Sequence, residues 1–271
     1  MRVDEQTISL DGSPVFYRAA PASGVQPVYL HGVPTSSDDW VAFLERTGGI
    51  APDLIGFGRS SKAGNLDFTL DGLTDFVERL LAHLRLERIA LVGQDWGGAV
   101  GLAFAQRHPE RVERIVLLNA VPLLDARFRW HRVARLWRAP IVGELTMGAT
   151  MKWLLARSLR AGVVNPQAWT DERVAAVWRQ FDQGTQRAIL RLYRASDEQR
   201  LAQAGAGLSK LTVPALVIWG ERDPWLSVEL GDAYARTLPR ATLEREPDAG
   251  HWPWLDQPAI VERVAKFMES P

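Results

Sequence analysis

The sequence has no cysteine, and that absence excludes a disulfide framework and any thiolate metal site. It also lacks an excess of charge of either sign. Lys and Arg together number 32 and so do Asp and Glu, whereas a nucleic-acid partner usually requires a clear basic surplus. No apolar run is long enough to span a bilayer, so stable membrane insertion is not expected. The opening residues, Met1-Arg2-Val3-Asp4-Glu5, carry early acids where a secretory signal would be apolar, which makes a cytoplasmic location the expectation. Tyrosine is scarce at four residues, of which Tyr193 alone falls between residues 122 and 210. Apolar residues, by contrast, are plentiful. At 46% hydrophobic over 271 residues the chain can bury a large core, and its length suits one domain with an insertion better than two equal domains.

The stretch around which the rest is organised is Leu91-Val92-Gly93-Gln94-Asp95-Trp96-Gly97-Gly98. An apolar strand, Ile89 to Val92, runs into a small-residue turn, and a helix beginning Ala99-Val100-Gly101-Leu102 leaves it, so Asp95 sits at the tip of a strand-to-helix elbow. Glycines flank it because so tight a turn forces strained backbone angles and a close approach of helix to strand. Taken alone, Asp95 is also readable as a cap on the following helix. The spacing resembles the nucleophile elbow of α/β-hydrolases, with Asp in the place usually held by Ser. The Gln-Asp-Trp-Gly-Gly string is similar to the branch that contains epoxide hydrolases and haloalkane dehalogenases.

A nucleophilic Asp changes the chemistry. A Ser hydroxyl must lose a proton before it attacks, whereas a carboxylate with an ordinary pKa near about 3.9 is already ionised at neutral pH and can attack saturated carbon. The product is an alkyl ester of Asp95. Its hydrolysis needs a base for water and donors for an oxyanion. The later strands end in suitable partners. Pro214 to Trp219 leads to Gly220-Glu221-Arg222-Asp223, and Thr242 to Arg245 leads to Asp248-Ala249-Gly250-His251. Asp95, Asp223 and His251 thus follow the order nucleophile, acid, histidine, separated by 128 and 28 residues. Asn119 follows the strand where some relatives keep their carboxylate, but an amide is not an acid; Asp223 is chosen, with Glu221 the less suitable neighbour.

The resemblance implies an α/β-hydrolase fold: a mostly parallel central sheet flanked by helices, with a core of residues 1–121 and 211–271 and a helical lid, 122–210, inserted near Asn119. It implies that the backbone N–H groups of Val33, in His31-Gly32-Val33-Pro34, and of Trp96 form the oxyanion hole. It implies no cofactor and no metal, only a small apolar organic substrate and water, handled by a monomer or homodimer. His31, at the end of a buried strand, is expected to be structural. The glycines of Gly56-Phe57-Gly58-Arg59-Ser60-Ser61 are read as turn formers, since no lysine or helix start accompanies them. Asp11-Gly12-Ser13 is expected to turn a hairpin between residues 3–10 and 14–19, and the apolar positions Phe76, Val77, Leu80, Leu81 and Leu84 describe an amphipathic helix.

Residues 122–210 contain helical spacings and no convincing strand. Five of the eleven tryptophans lie there, and with Trp96 the pair Trp153 and Trp178 is expected to face the substrate. Residues 121–160 also hold Arg127, Arg129, Arg132, Arg135, Arg138, Lys152, Arg157 and Arg160 against Asp125 and Glu144. An anionic partner or membrane surface would explain this, but the preferred reading is a solvated outer face whose arginine stems cover apolar lid surface. Tyr193 in Leu192-Tyr193-Arg194 matches one of the two lid tyrosines with which epoxide hydrolases donate to the epoxide oxygen; the other has no counterpart. Haloalkane dehalogenases hold the halide with two N–H donors, one of them the indole corresponding to Trp96, and Val33 offers no second side-chain donor. The expectation is therefore an epoxide hydrolase with Asp95, Asp223, His251 and Tyr193 as catalytic residues. The alternatives are a haloalkane dehalogenase, an ester hydrolase and a protein that only binds a small ligand.

Overall fold

A computed structural model describes residues 1–124 and 128–269, so Asp125 and Arg127, two of the charged residues singled out above, lie outside the described residues. The elements in order are β1 (Asp4–Leu10), β2 (Ser13–Ala20), β3 (Gln26–Leu30), α1 (Val41–Thr47), β4 (Gly49–Pro52), α2 (Leu70–His83), β5 (Ile89–Gln94), α3 (Asp95–Arg107) and β6 (Val112–Ala120). Six helices follow: α4 (Arg132–Arg138), α5 (Val142–Gly148), α6 (Lys152–Ala161), α7 (Asp171–Gln180), α8 (Gln183–Ala195) and α9 (Glu198–Ala204). The chain then closes with β7 (Ala215–Gly220), α10 (Val228–Thr237), β8 (Ala241–Glu246), α11 (Pro253–Asp256) and α12 (Ala259–Glu269).

The eight strands form one sheet in the order β1-β2-β4-β3-β5-β6-β7-β8, antiparallel where β2 meets β1 and β4 and parallel elsewhere. Asp11 and Gly12 both adopt positive φ (51° and 76°), which gives the hairpin turn a twist that matches its strands. Strands β5 and β7 are buried at every position, as expected for a parallel sheet covered on both faces. This is the architecture that the resemblance to α/β-hydrolases implied, a mostly parallel sheet flanked by helices.

Two features of the sheet position the site. After β3 the chain turns to one side to form β4, and then crosses back to form β5 on the other side of β3. The carboxyl ends of β3 and β5 therefore flank a switch point, where an open crevice is topologically guaranteed. Helix α3 then packs against β3, β5 and β6. It is buried along Asp95–Ala105, and its first turn can lie against the sheet only because Gly97 has no side chain: a Cβ there would collide with the Leu30 carbonyl oxygen.

Candidate active site

Asp95 is the first residue of α3 and has φ 50°, a left-handed conformation that a non-glycine residue adopts only where the surroundings enforce it. The strained elbow brings its carboxylate to the loop after β3. There the Val33 N–H donates to Asp95 Oδ2 at 2.9 Å, and the Trp96 N–H also donates to the carboxylate. Gly32 makes this approach possible, since a Cβ on it would lie 2.6 Å from Asp95 Cβ. Burial raises the Asp95 pKa, opposed by His251 and these two N–H groups, each of which favours the charged form.

His251 lies in the loop after β8, between Trp225 and Trp252, whose rings meet it edge-on at 4.8 and 4.7 Å. Its Nδ1 is 2.6 Å from Asp223 Oδ2, and its Nε2 is 4.0 Å from Asp95 Oδ1. The second separation is too long for a hydrogen bond and leaves Nε2 available to a water beside the Asp95 carboxyl. Burial works against a charge on His251, but Asp223, with Asp95 and Asp39 behind it, outweighs burial and the pKa lies above the ordinary 6.5. Asp223 is itself held on both oxygens. Oδ1 accepts from the N–H groups of Trp225 and Leu226, and Oδ2 from Asn119 Nδ2 at 2.8 Å. Asn119 also exchanges two hydrogen bonds with the backbone of Gly220, so the residue set aside for not being an acid positions the acid.

His31 is fully buried and bonded to backbone through both ring nitrogens: Nδ1 is 2.7 Å from the Gly32 carbonyl oxygen, and Nε2 accepts from the Leu54 N–H. The Gly56–Ser61 loop is a folded turn. Gly56 and Gly58 have positive φ, and Arg59 clamps the loop to the buried Asp53 through its N–H and guanidinium.

A cavity of about 560 Å³ opens over Asp95. It is lined by Asp95, Val33, Trp225 and His251 from the sheet side and by residues of α4, α6 and α8, Tyr193 among them. Tyr193 is packed among Trp96, Trp130 and Trp137 with ring separations of 4.8 to 5.3 Å, and burial followed by the charge on Asp95 raises its pKa.

Three expected pocket tryptophans are corrected. Trp153 is 62% exposed, because α6 buries Leu155, Ala156 and Leu159 and thereby turns Trp153 outward. Trp178 stacks on Phe181, and it is Phe181 that lines the cavity. Trp96 is wholly buried behind Trp130 and Tyr193 and does not line the cavity; its Nε1 approaches Tyr193 but makes no hydrogen bond of ordinary geometry. The cavity's tryptophans are instead Trp130, Trp137, Trp225 and Trp252.

Among the cavity residues that sequence reasoning missed, one carries a titratable ring. His131 caps α4, its Nδ1 accepting from the Ala134 N–H at 3.3 Å, so the proton of the neutral ring resides on Nε2. Burial lowers its pKa to about 4, which keeps it neutral near pH 7. A histidine immediately before a helix is a cue to a cap, but nothing in the sequence shows that the cap faces a cavity.

The chain belongs to the alpha/beta hydrolase fold family, whose model matches residues 28–258. Within it, the chain is similar to epoxide hydrolase 1 of Caenorhabditis elegans, with 26% identity covering 90% of this chain and 64% of that protein. It is 34% identical to a haloalkane dehalogenase of Mycobacterium marinum, over 76% of this chain and 71% of the relative. Among solved structures, the haloalkane dehalogenase DbeA from Bradyrhizobium elkani superposes with a TM-score of 0.85 at 25% identity, covering 98% of both chains.

Proposed function

We propose that this hydrolase opens small apolar epoxides to diols through an ester of Asp95. The observation that carries the reading is that two residues with a neutral donor, Tyr193 with its hydroxyl and His131 with its proton on Nε2, line the same cavity as Asp95. Beside Tyr193, His131 takes the part that a second lid tyrosine would play. Epoxide opening creates an alkoxide, which such donors stabilise and protonate.

In the first step Asp95 Oδ1 attacks an epoxide carbon and the carbon–oxygen bond of the ring breaks. The alkoxide takes the Tyr193 proton, being a stronger base than the phenolate left behind, and His131 donates to the same oxygen. In the second step His251 Nε2 removes a proton from water, which adds to the ester carbonyl carbon. The oxyanion forms on Oδ2, where the Val33 and Trp96 N–H groups already point. Collapse expels the diol oxygen, which takes the proton from His251 and leaves Asp95 as the carboxylic acid; Asp95 then releases its proton to solvent and Tyr193 regains one from it, which restores the starting state. Throughout, Asp223 accepts from Nδ1 and supports the imidazolium that forms.

A second reading, haloalkane dehalogenation, is favoured by one observation: the buried Trp96 Nε1, next to the nucleophile in sequence, approaches Tyr193 but makes no hydrogen bond of ordinary geometry. The two separate on a panel of terminal epoxides and bromoalkanes assayed for diol and halide. Diol release with little halide supports the epoxide reading, and the reverse overturns it.

A further inference from the structure

We propose that the outer face of α4–α6, at the mouth of the cavity, docks on an anionic phospholipid bilayer. The passage of bilayer-dissolved substrate from there into the cavity rests additionally on reading the cavity as an active site.

Of the ten large apolar side chains that the described residues leave exposed, nine lie between Val133 and Val164. Single exposed apolar residues are unremarkable, but a concentration on one segment marks an interaction surface. Ile141 is 73% exposed, Leu145 68%, Met151 59% and Trp153 62%. They adjoin the opening. Leu136 and Leu154 are exposed and also line the cavity; Leu145 lies one turn before Ala149, and Trp153 one turn before Arg157, both of which line it. The arginine stems do not cover this apolar surface, contrary to the expectation from sequence.

Charge selects the occupant. Between residues 128 and 164 seven Lys and Arg face one acid, Glu144, and that acid is engaged by Arg194. Arg132, Arg135, Lys152 and Arg157 are exposed and form no ion pair among the described residues. A second copy of this chain seated face to face would bring these cations together with no acids to meet them. A lipid surface bearing negative headgroups satisfies both features, with apolar side chains in the acyl boundary and basic heads at the phosphates. An exposed tryptophan suits that boundary. No helix among the described residues is long and apolar enough to cross a membrane, so the docking is peripheral.

The test is flotation of the whole protein with phosphatidylcholine vesicles, pure or with about 30% phosphatidylglycerol, the anionic lipid supplying the attraction. Binding is expected to the anionic vesicles at about 0.1 M salt and to collapse near about 1 M, where the screening length falls roughly threefold. Arg132→Gln with Arg135→Gln should weaken it by about fivefold per charge removed. Leu145→Ser with Trp153→Ser, exposed positions whose change spares the core, should weaken it by about tenfold or more. The same pair should slow hydrolysis of a long-chain epoxide presented in vesicles, while a short water-soluble epoxide is turned over as before. No flotation, equal flotation with neutral vesicles, or flotation indifferent to both variant pairs would overturn the docking. So would a dimer, detected by sedimentation, that Leu145→Ser with Trp153→Ser dissolves while vesicles are ignored. Flotation reads no turnover, so a protein that floats but hydrolyses nothing would sink the active-site reading alone.

Discussion

Asn119 Nδ2 donates to Asp223 Oδ2 at 2.8 Å, on the same carboxylate oxygen that meets His251 Nδ1 at 2.6 Å. The amide at the end of β6 thus fixes the acid at the end of β7, and the acid fixes the histidine after β8. Asp223→Asn should lower kcat by about ten-thousand-fold, the loss known for a comparable change. Asn119→Ala, which leaves the acid in place but unsupported, should cost about ten- to a hundred-fold, as outer-shell partners do elsewhere, with KM little changed. Steady-state kinetics on one epoxide measure both, and full activity in Asp223→Asn would show that the acid is another residue.

Removing the base should trap the intermediate. His251→Gln keeps Asp95 and the donors, so the substrate should still alkylate the protein, but the ester should persist. Intact mass should rise by the mass of the epoxide, and peptide mapping should place the addition on Asp95. An unmodified protein, or an adduct on another residue, would contradict the assignment.

The pH dependence follows from the direction of two shifts. His251 acts as a base only when neutral, and its pKa lies above 6.5, so ester hydrolysis should be lost as pH falls through a value above 6.5. Alkylation needs ionised Asp95, whose pKa is raised by burial, so it should fail at a lower pH of its own. His251 favours the Asp95 carboxylate, so its replacement by Gln should move the alkylation limb to higher pH. Rapid-quench measurement of both half-reactions tests this; a hydrolysis rate flat between about pH 5 and 8 would exclude a histidine base.

The donor pair should be visible in the first half-reaction. Tyr193→Phe should slow alkylation by an epoxide about a hundred-fold, and His131→Phe by a smaller factor, with ester hydrolysis spared in both. A bromoalkane, which leaves as a weakly basic halide, should be far less sensitive to either change. If Trp96→Phe abolished halide release while both donor variants kept full epoxide turnover, the dehalogenase reading would replace the epoxide one.

What the sequence determined by itself is what depends on local chain and on order. The elbow was legible because a Cβ on Gly97 would strike the Leu30 backbone and one on Gly98 the Ala120 side chain, and the strands because continuous apolar runs suit a sheet buried on both faces. The acid and histidine were legible because each stands just beyond a strand whose carboxyl end must reach the switch point. Tertiary structure alone decided which side of each helix meets the cavity. Trp153 and Leu155 lie two positions apart on α6, nearly opposite one another around a helix, and only packing chose to bury Leu155 and turn the indole outward. Asn119 and His131 follow the same rule: a side chain's composition says what it can donate, but its partner is 104 residues away in one case and a cavity assembled from several helices in the other. Such long-range neighbours are set by the sum of many weak packing terms, and no local pattern carries that sum.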